Sequence, residues 1–196
     1  HAGFSATMNV SDLDGTNGFA IPGLSGTDEM LGFVSAGGDI NGDNIDDLMI
    51  GVPHNIFGGS SGIGGGYIVH GNAGGFSATF DLATLNGTNG THFTATAGDG
   101  GGFSMNNVGD LNSDGLADIM LGSPLAFGTG GAYLVYGQNG GFGTSFDLTT
   151  ITSANGIQFH GTTGFDGLRS GPLGDFNNDG KDDIFLADLN HLDDTG

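Results

Sequence analysis

Three nine-residue stretches carry side chains whose type and spacing suit metal coordination. They are Asp39-Ile40-Asn41-Gly42-Asp43-Asn44-Ile45-Asp46-Asp47, Asp110-Leu111-Asn112-Ser113-Asp114-Gly115-Leu116-Ala117-Asp118 and Asp175-Phe176-Asn177-Asn178-Asp179-Gly180-Lys181-Asp182-Asp183. Each places Asp, Asn, Asp and Asp at positions one, three, five and nine, then runs into apolar residues. Alternate oxygen-bearing side chains on a tight loop can converge on a hard cation, and Ca²⁺ takes about six to eight oxygens. Position six asks for a residue that tolerates left-handed backbone. Gly115 and Gly180 supply it, and Asn44 stands in for glycine in the first copy. The expectation is about three Ca²⁺ ions, one per loop.

Competing readings of the loops fare worse. Asp, Asn and Gly dominate ordinary solvated turns, but three copies in one oxygen register favour the cation. An EF-hand needs a Glu at position twelve and flanking helices; here position twelve is Ile50, Leu121 and Leu186. Calcium β-rolls repeat every nine residues, whereas these loops start 71 and then 65 residues apart. A structural role for the metal is expected, because carboxylates that repel one another gain stability from a bound cation. No acid/base pair beside an open metal position is visible.

Composition narrows the function classes further. The 196 residues include 43 Gly, no Cys and no Trp, and only Arg169 and Lys181 face 22 acids. A net charge of −20 excludes a basic footprint for nucleic acid and opposes anionic membrane surfaces. Eleven of the 22 acids lie in the three loops, so charge is concentrated where a cation would neutralise it. No apolar run reaches the ~18 residues of a membrane span. Without cysteine the redox compartment cannot be read, but a calcium requirement favours a secreted or surface location.

Catalytic chemistry has little to work with. Histidines 1, 54, 70, 92, 160 and 191 fall at unrelated repeat positions without metal-ligand spacing, and are read as surface or strand-end residues. There is no nucleophile elbow of the Gly-x-Ser-x-Gly kind. Gly62-Ile63-Gly64-Gly65-Gly66 lacks the lysine and the flanking helix of a phosphate loop, and is read as a flexible blade loop. Asn9-Val10-Ser11, Asn86-Gly87-Thr88 and Asn89-Gly90-Thr91 match glycosylation sequons, although Asn-Gly is also a tight-turn pair.

The elements that must position the loops follow from internal repetition. Gly74-Gly75-Phe76-Ser77-Ala78-Thr79 echoes Ala2-Gly3-Phe4-Ser5-Ala6-Thr7, and Gly140-Gly141-Phe142-Gly143-Thr144 echoes both. Asp14-Gly15-Thr16-Asn17-Gly18 recurs as Asn86-Gly87-Thr88-Asn89-Gly90, and Gly66-Tyr67-Ile68-Val69-His70-Gly71 as Ala132-Tyr133-Leu134-Val135-Tyr136-Gly137. Within one period the strand signals are 103–108, 118–122, 132–136 and 157–160, short and bounded by Gly, Asn and Asp. Four short antiparallel strands per repeat make a propeller blade. Each acidic loop then sits in the hairpin between a blade's first two strands. Asp47-Leu48-Met49-Ile50 and Asp118-Ile119-Met120-Leu121 read as strands covered on both faces. The only helical candidates, 80–85 and 146–151, are too short to stand as helices.

The expected organisation is the tail of one repeat (1–28), two repeats (29–99 and 100–165) and the head of another (166–196). Three repeats fall short of the roughly four to eight blades of a closed ring, so the expectation is part of a longer array or a ring completed by other copies.

The stretches 31–53 and 102–124 resemble the FG-GAP repeat of integrin α-subunit head domains. They carry Leu31-Gly32-Phe33 and Gly102-Phe103-Ser104 before the loops, and Ile50-Gly51-Val52-Pro53 and Leu121-Gly122-Ser123-Pro124 after them. Leu13-Asp14-Gly15-Thr16-Asn17-Gly18-Phe19 is similar to a stretch in bacterial secreted multi-repeat members. The resemblance implies an all-β propeller with Ca²⁺ in the hairpins and a role in extracellular adhesion. Carried over by position, the side-chain ligands are Asp39, Asn41, Asp43 and Asp47; Asp110, Asn112, Asp114 and Asp118; and Asp175, Asn177, Asp179 and Asp183. The main-chain carbonyls of Ile45, Leu116 and Lys181 would complete the sets. The third copy departs from the pattern, with Ala187-Asp188-Leu189 where Gly-x-Pro belongs.

The leading expectation is a non-enzymatic, calcium-stabilised propeller segment, secreted or at the cell surface, that binds an extracellular protein or glycan or further copies of itself. A carbohydrate-binding propeller, with Tyr67, Tyr133 and Tyr136 as candidate contacts, is the second reading. A non-catalytic propeller appended to a secreted hydrolase or lyase is the third.

Overall fold

Apolar residues that alternate or run continuously between glycine-rich turns build a purely β architecture. The computed structural model describes residues 7–23, 32–53, 63–162 and 166–188. Eleven strands follow in order: β1 Val34–Gly38, β2 Asp47–Val52, β3 Ile63–Val69, β4 Gly90–Ala97, β5 Ser104–Asn107, β6 Ile119–Ser123, β7 Gly131–Val135, β8 Ser145–Asp147, β9 Gly156–His160, β10 Asp166–Gly174 and β11 Asp183–Asp188. The first sheet has the order β1-β2-β3-β4-β8, the second β5-β6-β7-β9, and β10 pairs with β11. Every pairing is antiparallel except β4 with β8. The expected blade of four meandering strands is therefore present in the first two sheets.

The central strands are covered on both faces, as their apolar runs require. β6 is buried at every residue, and its period-two alternation sends successive side chains to different neighbours. Ile119 and Leu121 join Met105, Tyr133 and Val135 in a cluster with Met49, Ile68 and Phe93 of the first sheet and Ile40 of its acidic loop. Met120 points the other way, into a cluster with Val108, Leu134 and Ile184. Sheet thus packs on sheet, and each blade face is completed by the next repeat.

The parallel strand β8 departs from the sequence reading. The stretch 146–151 holds a strand end followed by a single 3₁₀ turn, Leu148–Thr150, capped where Asp147 Oδ1 accepts from Thr149 N at 2.9 Å. The equivalent stretch 80–85 holds the turn Leu82–Thr84, capped by Asp81 in the same way. β8 reaches back to the preceding sheet, pairing Ser145 with His92. The isolated parallel bridge between Ala20 and Thr79 occupies the same repeat position. Each repeat therefore clasps its predecessor. Propensity within six residues could not reveal a partner some fifty residues away.

The recurring Asx-Gly-Thr-Asn-Gly motif locks the turn before the clasped strand. Asp14 Oδ1 accepts from Thr16 N and Asn17 N, and Asn86 Oδ1 accepts from Thr88 N and Asn89 N. The glycine run read as a flexible loop is also different. Residues 63–69 form β3, and Gly64–Gly66 lie within it. A Cβ on Gly66 would stand 2.6 Å from Met105 Sδ, and one on Gly65 would strike the Phe93 carbonyl. These glycines admit neighbouring backbone and side chains at close range, which outweighs their low strand propensity.

Candidate metal-binding loops

The three acidic loops connect β1 to β2, β5 to β6 and β10 to β11, the hairpin position expected for them. Two left-handed residues shape each loop. Position six has φ of 64° at Asn44, 90° at Gly115 and 86° at Gly180, in line with the sequence reading. Position four is also left-handed, with φ of 81° at Gly42, 63° at Ser113 and 62° at Asn178. That second requirement escaped the sequence reading, although Gly42 and Asn178 in two of the copies were the signal. Ser113→Gly is expected to stabilise the chain by about 1 kcal/mol, since left-handed geometry is costly for a residue with a Cβ. Chemical denaturation of the variant against the parent checks this.

The left-handed turns aim main-chain N–H groups at the carboxylates. Asp39 accepts from Asp43 N at 3.1 Å and Asn44 N at 2.8 Å. Asp110 accepts from Asp114 N at 3.0 Å and Gly115 N at 2.8 Å, and Asp175 from Asp179 N and Gly180 N, each at 2.9 Å. In each loop the Asn side-chain oxygen shares the position-five N–H, and its Nδ2 donates to the position-five carboxylate. Positions one, three and five are therefore brought together in all three copies. At position seven, Ile45, Leu116 and Lys181 donate their N–H groups to the position-five carboxylates.

The position-nine carboxylate has a different setting. Asp47 and Asp118 are 4 % and 0 % exposed, against exposed Asp43 and Asp114. Asp118 accepts from Leu111 N at 2.8 Å and Gly137 N at 2.9 Å. Asp47 accepts from Ile40 N at 3.1 Å and Gly71 N at 2.8 Å. Burial raises both carboxyls above the ordinary range, and these N–H donors work against it. In the third loop Asp183 accepts from Phe176 N at 2.9 Å and is only half-buried.

Gly71 and Gly137 are site residues that the sequence reading passed over. A Cβ on Gly137 would lie 2.6 Å from Leu116 Cβ and 2.7 Å from the Ala117 carbonyl, and one on Gly71 would strike Ile45. The signal was present: each glycine closes a copy of the repeated Tyr-containing strand.

The second repeat covers the first loop. Ala117 N, Gln138 N and Gly140 N donate to the carbonyls of Asp39, Ile40 and Asn41 at 2.9, 3.0 and 2.7 Å. Asn41 is accordingly 7 % exposed, whereas Asn112 and Asn177 are exposed.

The donors at positions one, three, five and nine are all oxygens, the set a hard cation prefers over softer ions. Among the described residues, no three His, Cys, Asp or Glu side chains stand together as a preassembled cage. The loop oxygens instead hold main-chain N–H groups, with one amide and three carboxylates at positions one, three, five and nine of each loop.

Other candidate residues take less chemical settings. Tyr67 and Tyr133 are 2 % and 1 % exposed, so their rings pack in the core, with Tyr133 also bordering a cleft between the first two sheets. Tyr136 is half-buried. His70 directly follows β3, one of the two settings expected for the histidines, and is buried, with Nδ1 3.2 Å from the Thr88 carbonyl. His92 stacks on Tyr67 and His160 on Phe127. His1, His54 and His191, and Leu189 of the departing turn, lie outside the described residues. No helix among the described residues is long and apolar enough to cross a membrane.

The chain is similar in sequence to integrin α-subunits. It is 33% identical over 123 residues to integrin alpha-6 of Gallus gallus, covering 63% of this chain and 10% of the relative. Against integrin alpha-PS5 of Drosophila melanogaster it is 31% identical over 113 residues, 58% of this chain and 10% of the relative. Integrin alpha-E of Mus musculus matches at 37% over 107 residues, 52% of this chain and 8% of the relative. The chain thus spans about a tenth of the length of these relatives. No protein-family model matches it.

Proposed function

We propose that the chain is a non-enzymatic, Ca²⁺-stabilised stretch of propeller blades from a secreted or cell-surface adhesion protein of the multi-repeat kind. The observation that carries this reading is the recurrence of one oxygen register and one hydrogen-bond pattern in three hairpins. The likeness to integrin α-subunits supports the adhesive, extracellular setting. About three ions are proposed, one per loop, each held by the side chains at positions one, three, five and nine and the carbonyl at position seven. The ion would neutralise carboxylates that otherwise repel one another and would tie a blade's first two strands together. The proposed partner is an extracellular protein or glycan, or a further copy of the same blades.

Replacing a ligand should cost more than replacing an acid elsewhere. In calcium-containing buffer, Asp114→Ala is expected to lower the melting temperature by several degrees more than Asp99→Ala, a loss of about 1–3 kcal/mol for one weakened site. Titration calorimetry should also find fewer ions bound by Asp114→Ala. Equal melting shifts together with unchanged ion binding would overturn the loop assignment.

A further inference from the structure

A cleft lies at the strand ends remote from the acidic loops. β5 runs into its acidic loop and β6 runs out of it, so the connection entering β5 and the connection leaving β6 share the opposite end. Between the first two sheets they bound a cleft of about 450 Å³, lined by Thr96, Asp99, Phe127, Tyr133, Thr149 and Gln158.

Phe127 is held there in a strained conformation. Its φ of 59° and ψ of 8° place it in the left-handed region that bulky side chains avoid. The ring stacks on His160 with centroids 3.8 Å apart and planes 8° apart, yet the residue remains 36 % exposed. Gly128, with φ of 78°, completes the turn that presents it.

The polar groups of the cleft are fixed in place, and the Asp99 carboxyl accepts from the side chain and the main chain of Thr96. The Asp99 carbonyl accepts from Ser123 Oγ at 3.0 Å and Leu125 N at 2.9 Å. Its carboxyl is partly desolvated, and burial holds it above the ordinary range. Tyr133 Oη is 3.5 Å from Asp99 Oδ2, and Gln158 Nε2 is 3.4 and 3.5 Å from the carbonyls of Leu148 and Thr149. These Tyr133 and Gln158 contacts stand at the outer limit of hydrogen bonding, so both donors keep capacity for a ligand.

We propose that this cleft binds a neutral sugar unit, its C–H face against Phe127 and its hydroxyls on Asp99, Tyr133 and Gln158. A sugar combines an apolar face with several donor-acceptor hydroxyls, and a carboxylate, a phenol, an amide and two threonines match that pattern. Neither Arg169 nor Lys181 lines the cleft, and a chain of net charge −20 repels anionic ligands. The site goes beyond the calcium reading and does not rest on it, since no loop residue takes part.

The test is a glycan array probed with the intact chain in calcium-containing buffer, then titration with the methyl glycoside of the preferred neutral monosaccharide. Neutral glycans should be retained above sialylated or sulfated ones. Tyr133→Phe, which keeps the buried ring, and Gln158→Ala, on the outer strand, should each weaken binding about tenfold with the melting temperature unchanged. If Tyr133→Phe lowers the melting temperature, Gln158→Ala carries the comparison. Failure to retain neutral glycans, preference for acidic ones, or undiminished binding by these variants would overturn the proposal, whatever the outcome of the calcium experiments.

Discussion

Chelating calcium is expected to lower the melting temperature of the chain by more than about 10 °C. A ligand bound only by the folded state contributes about 2.7 kcal/mol per site at a hundredfold excess over its dissociation constant. Three such sites would contribute roughly 8 kcal/mol, and each kcal/mol shifts the melting temperature of a chain this size by about 2–4 °C. Loop geometry gives the effect its mechanism. Asp110 and Asp114 both accept from main-chain N–H groups of the same short turn, and Asn112 donates to Asp114. The like charges are thereby held close together, and the loop itself contains no basic residue. Thermal unfolding in excess calcium and in excess chelator measures the shift. Magnesium should restore less of it, because its tighter octahedral shell suits these flexible oxygen donors poorly. An unchanged melt in chelator would remove the calcium reading.

Asp118→Ala should be the most damaging single substitution in the second loop, costing about 3 kcal/mol even without calcium. The carboxylate is fully buried and accepts from Leu111 N and Gly137 N. Truncation would leave two main-chain donors unsatisfied in the interior, each costing about 1–3 kcal/mol. It would also cut the link between the start of the loop and the end of β7. Asp118→Asn, which keeps one acceptor, should cost less. Asp114 is exposed, so its replacement should matter in calcium and matter little in chelator. Urea unfolding of Asp118→Ala and Asp114→Ala under both conditions separates the two roles. Equal losses for the two variants in chelator would show that position nine is no more structural than position five.

The loop, the hairpin that carries it and the blade strands were legible because their causes are local. Asp39 bonds N–H groups within five residues of itself, so the spacing of oxygen donors and the left-handed residue at position six encode the turn directly. The buried runs of β2 and β6 were equally plain, since a strand covered on both faces must be apolar throughout. Position four was missed because Ser113 is not a residue that advertises left-handed backbone.

What lay beyond the sequence depends on which segment lies against which. β8 hides in a stretch that looks like a broken helix, because its ladder partner is His92–Thr94 in the preceding sheet. The first loop gives no sign in its own sequence that Asn41 will be buried, because its cover is the segment 137–141 of the next repeat. The cleft around Asp99 joins residues from both sheets, and no spacing along the chain foretells that Phe127 will sit in left-handed backbone above Tyr133. The sequence by itself determined the chemistry of the acidic loops and the blade that repeats around them, because short-range hydrogen bonds and side-chain alternation are written within a few residues. Only the tertiary structure decided how deeply each loop is buried, how each repeat grips its neighbour and where the strands leave a cleft, because those depend on contacts between segments far apart in the chain.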